Sequence, residues 1–214
     1  MSSAFATIAA VLIAASMEAP PGGPPAMPTR AELPFVHQAS AVLQRRFHTV
    51  DDALRNGYFR YTDEDQSGAI SFVNLQWSST IDHPCQVWFD KRGHFIGVDY
   101  CRPFTSARPH QWSLDPRRWA EFPPHVHFAV QRNGKLLYGA ILAPQFSKAG
   151  GDPNKPAKAT LVRMGLVKDE SQVVFVFPFR HVWDLAMWAI PNADGAFAEN
   201  NPSVIPSAGA NGRM

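Results

Sequence analysis

Between residues 33 and 47 the apolar side chains Val36, Ala39, Leu43 and Phe47 recur at the three-and-four spacing of one helix face. Thr29 and Glu32 stand in the capping-box relation ahead of it, and Pro34 falls near enough to the first turn to be accommodated. A second, short helix is expected to open with Thr49 and Asp52 in the same relation and to stop at Gly57. From Tyr58 the pattern turns to strands rich in Val, Ile, Phe, Tyr and Trp. They are expected over 58–62, 69–78, 86–90, 94–100, 125–132, 135–142, 172–178 and 182–190. Short helices interrupt them. Asp115-Pro116 supplies an N-cap with proline at the first helical position, leading into RRWAEF, and KPAKATLVRM stops at Gly165. The stretch 143–157, APQFSKAGGDPNKPA, reads as a long Gly/Pro loop. Strands joined by hairpins are mostly antiparallel, so the expected fold is α+β: a mostly antiparallel sheet of about eight strands, with N-terminal helices and short interrupting ones.

The chain's 214 residues and 45% apolar content suffice for a buried core. Its organisation reads as a signal-like apolar segment and Pro/Gly linker over 1–28, a single domain over 29–191, and an irregular tail over 192–214. Ala4 to Ala15 form an apolar and small-residue run, and Ala14-Ala15-Ser16 resembles a cleavage site, although no Lys or Arg precedes the run. Export to the periplasm or the exterior is expected, with a cytoplasmic Ala-rich tail as the alternative. No later run reaches membrane-spanning length, so the mature chain is expected to hold no stable span. A net charge of +2, with no Lys/Arg cluster longer than a pair, argues against nucleic acid as a partner.

Cys85 and Cys101 flank CQVWFDKRGHFIGVDYC, which reads as a hairpin turning at residues 90–93 with Gly93 in the left-handed position. In that register Cys85 faces Asp99 and Cys101 is its diagonal neighbour. A regular diagonal of roughly 7–8 Å exceeds disulfide reach, but a bulge or strong twist closes it. The spacing carries no zinc motif.

The segment FRYTDEDQSGAIS resembles the EF-hand family over residues 59–71. That resemblance implies weak calcium binding by Asp63, Asp65 and Ser67 around the bend at Gly68, with Asn74 at the last loop position. The residues themselves read differently. Tyr58 to Thr62 favour a strand over an incoming helix, and VNLQWSST is poor in helix formers, so TDEDQSG is expected to be a polar turn joining two strands.

PPHVHFAVQRNGKLLYGAIL carries the other chemical signal. Asn133-Gly134 makes a two-residue hairpin turn that pairs Arg132 with Lys135. Alternation then places Val126, Phe128, Val130, Leu137 and Ile141 on a core face, and His125 and His127 on the other beside Ala140 and Leu142, with Tyr138 further along. Two imidazoles so placed can chelate one divalent, zinc-like ion. PHVHFAV resembles the final metal motif of lysostaphin-type zinc endopeptidases, which implies metal-assisted peptide hydrolysis. The His-x-His strand is also similar to that of the cupins. His181 or Asp184, in FRHVWDLAMWAI, is expected to complete such a site, unless Asp184 is a half-exposed edge residue or paired with an arginine.

No nucleophile elbow, phosphate loop or dinucleotide fingerprint is present, and no catalytic residue is assigned. The expected function is that of an exported binding module for a small molecule or protein. Its site would be the face carrying His125, His127 and Tyr138, overlooked by the 143–157 loop. The alternative is a divalent-metal hydrolase built on the same two histidines.

Overall fold

The computed structural model describes residues 23–76, 78, 80–208 and 210; the apolar run at 4–15 lies outside them. The fold is α+β and mostly sheet, with nine strands in a six-stranded and a three-stranded antiparallel sheet. Contacts divide the chain into two compact units: Pro124–Phe179, and a larger one formed by the segments either side of it. Among the described residues no helix is long and apolar enough to cross a membrane.

The larger unit opens with α1 (Leu33–Arg46) and α2 (Val50–Arg55). The expected pairing of Thr29 with Glu32 is present in half: the Glu32 carboxylate accepts from Thr29 N at 2.8 Å, while the helix itself starts one residue beyond Glu32. Thr49 and Asp52 form the second cap as expected. The sheet runs in the order β1 (Phe59–Arg60), β2 (Ile70–Val73), β3 (Gln86–Phe89), β4 (Phe95–Pro103), β9 (Val182–Trp188) and β5 (Ala120–Phe122). One face buries Val87, Phe89, Val98, Tyr100, Leu185 and Met187 against Phe35, Val36, Ala39 and Leu43 of α1. Truncating such a residue, as in Leu43→Ala, typically costs about 2–5 kcal/mol. Beside this core, the Arg118 guanidinium and the Glu32 carboxylate form an ion pair at 2.8 Å that is almost wholly shielded from solvent. Glu32 also accepts from Asp115 N, and Arg118 donates to the carbonyls of Pro25 and Met27.

Three local expectations change. RRWAEF is not helical throughout: a single 3-10 turn covers Pro116–Arg118, and the alternating residues after it join β9 as an edge strand. The first strands are shorter than expected, because the polar turn at 63–68 starts early and the chain leaves β2 at Asn74. The tail after Pro191 forms no regular element, as expected, yet it is pinned. Trp188 donates from its backbone N–H to Ala196 O and from its indole Nε1–H to Ala198 O, and Val204 packs on the Ala69–Ile96–Trp188 cluster.

The smaller unit is a sheet ordered β7 (Lys135–Leu142), β6 (His125–Arg132), β8 (Val173–Phe179), with α3 (Ala143–Lys148) and α4 (Lys158–Arg163). Arg132 pairs with Lys135 across Asn133-Gly134, both at positive φ, so the register is the expected one, with His125 opposite Leu142 and His127 opposite Ala140. Val126, Phe128, Val130 and Ile141 pack with Phe146 of α3 and Leu161 of α4. The stretch 143–157 is therefore a loop only in its second part. Pro144 at the start of α3 turns the first six residues into a helix on the core face, opposite the imidazoles, so α3 does not overlook them.

Candidate functional sites

His125 and His127 sit on one face of β6, 5% and 9% exposed, with their Nε2 atoms 2.8 Å apart. Burial, then the neighbouring His125, holds the His127 imidazole well below its ordinary pKa. A backbone hydrogen bond to Gly139 acts in the opposite direction, as expected when the ring donates to a carbonyl. A neutral His127 that donates through Nδ1 leaves a lone pair on Nε2. That lone pair can accept the Nε2–H of His125.

β8 continues this face. Its register puts Phe179 beside His125, Phe177 beside His127 and Phe175 beside Ala129. His125 stacks on Phe179 at 4.9 Å and His127 on Phe177 at 5.4 Å, while Tyr138 lies 6.1 Å from Phe175. Exposure falls along this strip. Leu136, next to the hairpin tip, is 38% exposed, Tyr138 and Phe175 are half-buried, and Phe177, Phe179 and the imidazoles are buried. The three phenylalanines were open to sequence reasoning through their alternation, but only the β6–β8 pairing assigns them to this face.

His181 and Asp184, expected as further ligands, belong to the larger unit, as do Cys85 and Cys101. His181 Nε2 meets Glu121 Oε1 at 2.9 Å, and its ring stacks on Phe104 at 3.7 Å. Asp184 lies on β9 between β4 and β5 and is 4% exposed, so it is not a half-exposed edge residue, and among the described residues its side-chain partner is a carboxyl rather than an arginine. Its partner is Asp99, the sole acid of β4, which is not among the site residues expected from sequence. Burial raises both carboxyls, Asp184 to about 7. The bond between them lowers Asp184 and raises Asp99, which makes Asp99 the proton holder. Asp99 also accepts from Trp88 Nε1 at 2.7 Å. Trp88 reaches it across Gly97, where a Cβ would stand 2.3 Å from the indole.

The cysteines form a disulfide with Cα atoms 5.6 Å apart. The bulge that makes this reachable lies beside Trp88 and Phe89, and it shifts the register so that Gln86, not Cys85, faces Asp99. Cys85, one residue outside β3, donates its N–H to Asp99 O and accepts from Asn74 N. Among the described residues, Cys85, Cys101 and Asp184 are the group whose potential ligand atoms all lie within 4.8 Å of one another.

Strands, not helices, flank the expected calcium loop: residues 61–69 turn from β1 into β2, and 70–73 are β2 itself. Asp65 Oδ1 accepts from Ser67 N, Ser67 Oγ and Ala69 N, and Asp63 pairs with Arg60. Asn74 lies elsewhere, donating to Asn56 O and accepting from Gln76 N, so the oxygens expected around calcium are not gathered. Asn74 instead borders a cleft of about 510 Å³ with Asn56, Gly57, Phe59, Leu75, Gln76 and His83. The amide of Asn74 and the imidazole of His83 already contact each other there.

No family model matches this chain, and no curated protein or solved structure is similar to it.

Proposed function

We propose that the protein is an exported binding domain. Its ligand is a flat, largely apolar molecule bearing a hydroxyl group. The observation that carries this reading is the strip of Tyr138, Phe175, Phe177 and Phe179, which grows steadily more buried towards two imidazoles with Nε2 atoms 2.8 Å apart. Aromatic walls favour a planar apolar body, and a few directed polar groups fix its orientation. With the tautomers above, a hydroxyl accepts from His125 Nε2–H and donates to the His127 Nε2 lone pair, replacing the bond the imidazoles make to each other. The half-buried Tyr138–Phe175 end is the entrance. Export is supported by the disulfide, a bond that persists in oxidising compartments.

Fluorescence titration with 2-naphthol tests this. Saturable binding is expected, about tenfold weaker for naphthalene, because losing the hydroxyl leaves both imidazoles unpaired by the ligand. Tyr138→Ala and Phe175→Ala should weaken binding, whereas Leu54→Ala, on α2 in the other unit, should not. Equal affinity for naphthalene, or indifference to both strip substitutions, would overturn the reading.

One observation favours a second reading. An imidazole held through its other nitrogen by a backbone carbonyl is oriented as metal ligands commonly are, so His125 and His127 are suited to a divalent ion. The hydrolase form of this reading is less well supported, because His181 is engaged by Glu121 and Asp184 by Asp99. Retention of zinc by the wild type, lost in a His125→Ala/His127→Ala double variant, would favour the metal.

A further inference from the structure

The cluster of Cys85, Cys101, Asp184 and Asp99 lies in the larger unit and plays no part in the site just proposed. Its sulfurs are buried, and Asp184 Oδ1 stands 3.7 Å from Cys101 Sγ. That contact is not a hydrogen bond, because a disulfide sulfur has no proton to donate. The contact of Asp184 with the sulfur is thus van der Waals, while its hydrogen bond is to the Asp99 carboxyl. Two sulfurs and a carboxylate converging in this way are a donor set suited to a tetrahedral, borderline-soft cation. We infer that reducing the disulfide converts this cluster into a zinc site, with Cys85, Cys101 and Asp184 as ligands and Asp99 as the positioning residue.

A dithiol reductant opens the S–S bond. Two electrons pass to the protein sulfurs, the reductant closes into its own disulfide, and its two protons end on Cys85 and Cys101. Zinc then displaces those protons to solvent and forms two Zn–S bonds and one Zn–O bond to Asp184, leaving one tetrahedral position to water. Asp99, hydrogen-bonded to Asp184, holds that carboxylate in place, as the groups behind a metal-bound carboxylate commonly do. The two charges of zinc replace those of the two thiol protons it displaces. Binding therefore adds no net buried charge, which is the usual obstacle to placing ions in a protein interior. The two sulfurs part on reduction and need only reach bonds of about 2.3 Å to a shared ion. Zinc and the disulfide are then alternative closures of the β3–β4 hairpin, selected by redox state.

Cobalt is the probe, because thiolate ligands give it a sulfur-to-metal charge-transfer band that histidine ligands do not. The full-length chain, reduced with dithiothreitol in dilute urea and returned to buffer, should develop this band. The band should saturate at one cobalt per chain and bleach on adding zinc, while oxidised protein shows none. Metal uptake should release about two protons per ion. Asp184→Asn should weaken binding about tenfold or more with the thiol count and circular dichroism unchanged. If the reduced chain loses its fold without metal, equimolar zinc should restore a cooperative melting transition. Absence of the band in a folded reduced chain, unaltered affinity in Asp184→Asn, or failure of zinc to restore the melt would each overturn the proposal.

Discussion

Nε2 of His127 lies 2.8 Å from Nε2 of His125, and the hydrogen bond between them requires at least one ring to be neutral. Burial, followed by the charge His125 would carry, lowers the His127 pKa well below its ordinary value. An unfolded imidazole takes up a proton below about pH 6.5 where the folded one does not, so stability is intact above that pH and lost as pH falls, by at most about 1.4 kcal/mol per unit. Nitrogen NMR of the imidazoles should show His127 as the Nδ1–H tautomer, still neutral below the ordinary histidine range. An ordinary titration, or the other tautomer, would contradict the assignment.

The Asp99–Asp184 pair has the opposite sign. Burial raises both carboxyls, Asp184 to about 7, so the folded protein holds a proton that the unfolded chain has released above about pH 4. This contribution to stability is complete below about pH 4 and is lost as pH rises through the raised values of the pair. Asp99→Asn retains a donor for Asp184 and an acceptor for Trp88 without needing that proton. It should flatten the pH dependence and raise stability at alkaline pH. Urea unfolding of both proteins across that range is the check, and parallel curves would refute the shared proton.

Glu32 and Arg118 are 2.8 Å apart and shielded from solvent. Burial pushes the Glu32 carboxyl up, but Arg118 and the N–H groups of Thr29 and Asp115 together outweigh it and hold the carboxyl at about 2. Removing either partner strands a buried charge, so Arg118→Met and Glu32→Leu should each cost about 3–5 kcal/mol. The double variant should recover part of that loss. Denaturant titrations of the three variants measure the coupling, and strict additivity would show that the pair does not act as a unit.

Cys85–Cys101 closes a short loop within the β3–β4 hairpin, with a sequence separation of 16. Replacing both cysteines by alanine should lower stability by about 3 kcal/mol. Thermal melts with and without reductant should agree with the double variant. A wild-type melt unaffected by full reduction would place the stabilisation elsewhere.

The hairpin at Asn133-Gly134 was legible to the residue, because a two-residue turn with both residues at positive φ leaves no freedom in register, and the positions of His125 and His127 followed from it. The 63–68 turn was legible for a similar reason: Gly68, at φ +83, and the Asx bonds of Asp65 are local features. Non-local pairings were not. Asp99 and Asp184 are 85 positions apart in the chain and meet because β4 pairs with β9. Local pattern gives no sign that two carboxylates will share a proton, and a lone acid in an apolar strand more often finds a cation or solvent. The strand Ala120–Phe122 was hidden because three residues following a helix-start signal carry too little alternation to be recognised. The aromatic strip needed the partner of β6 to be known, and that partner, β8, begins some forty residues beyond the hairpin.

The most direct test of the account follows the imidazole nitrogens of His125 and His127 by NMR while 2-naphthol is added to the full-length chain. Binding at the inner end of the strip should shift both Nε2 resonances together, saturably and in step with the fluorescence titration, and leave His181 unmoved. If 2-naphthol binds but moves neither imidazole, or if it does not bind at all, the two histidines are not the anchor of a ligand site.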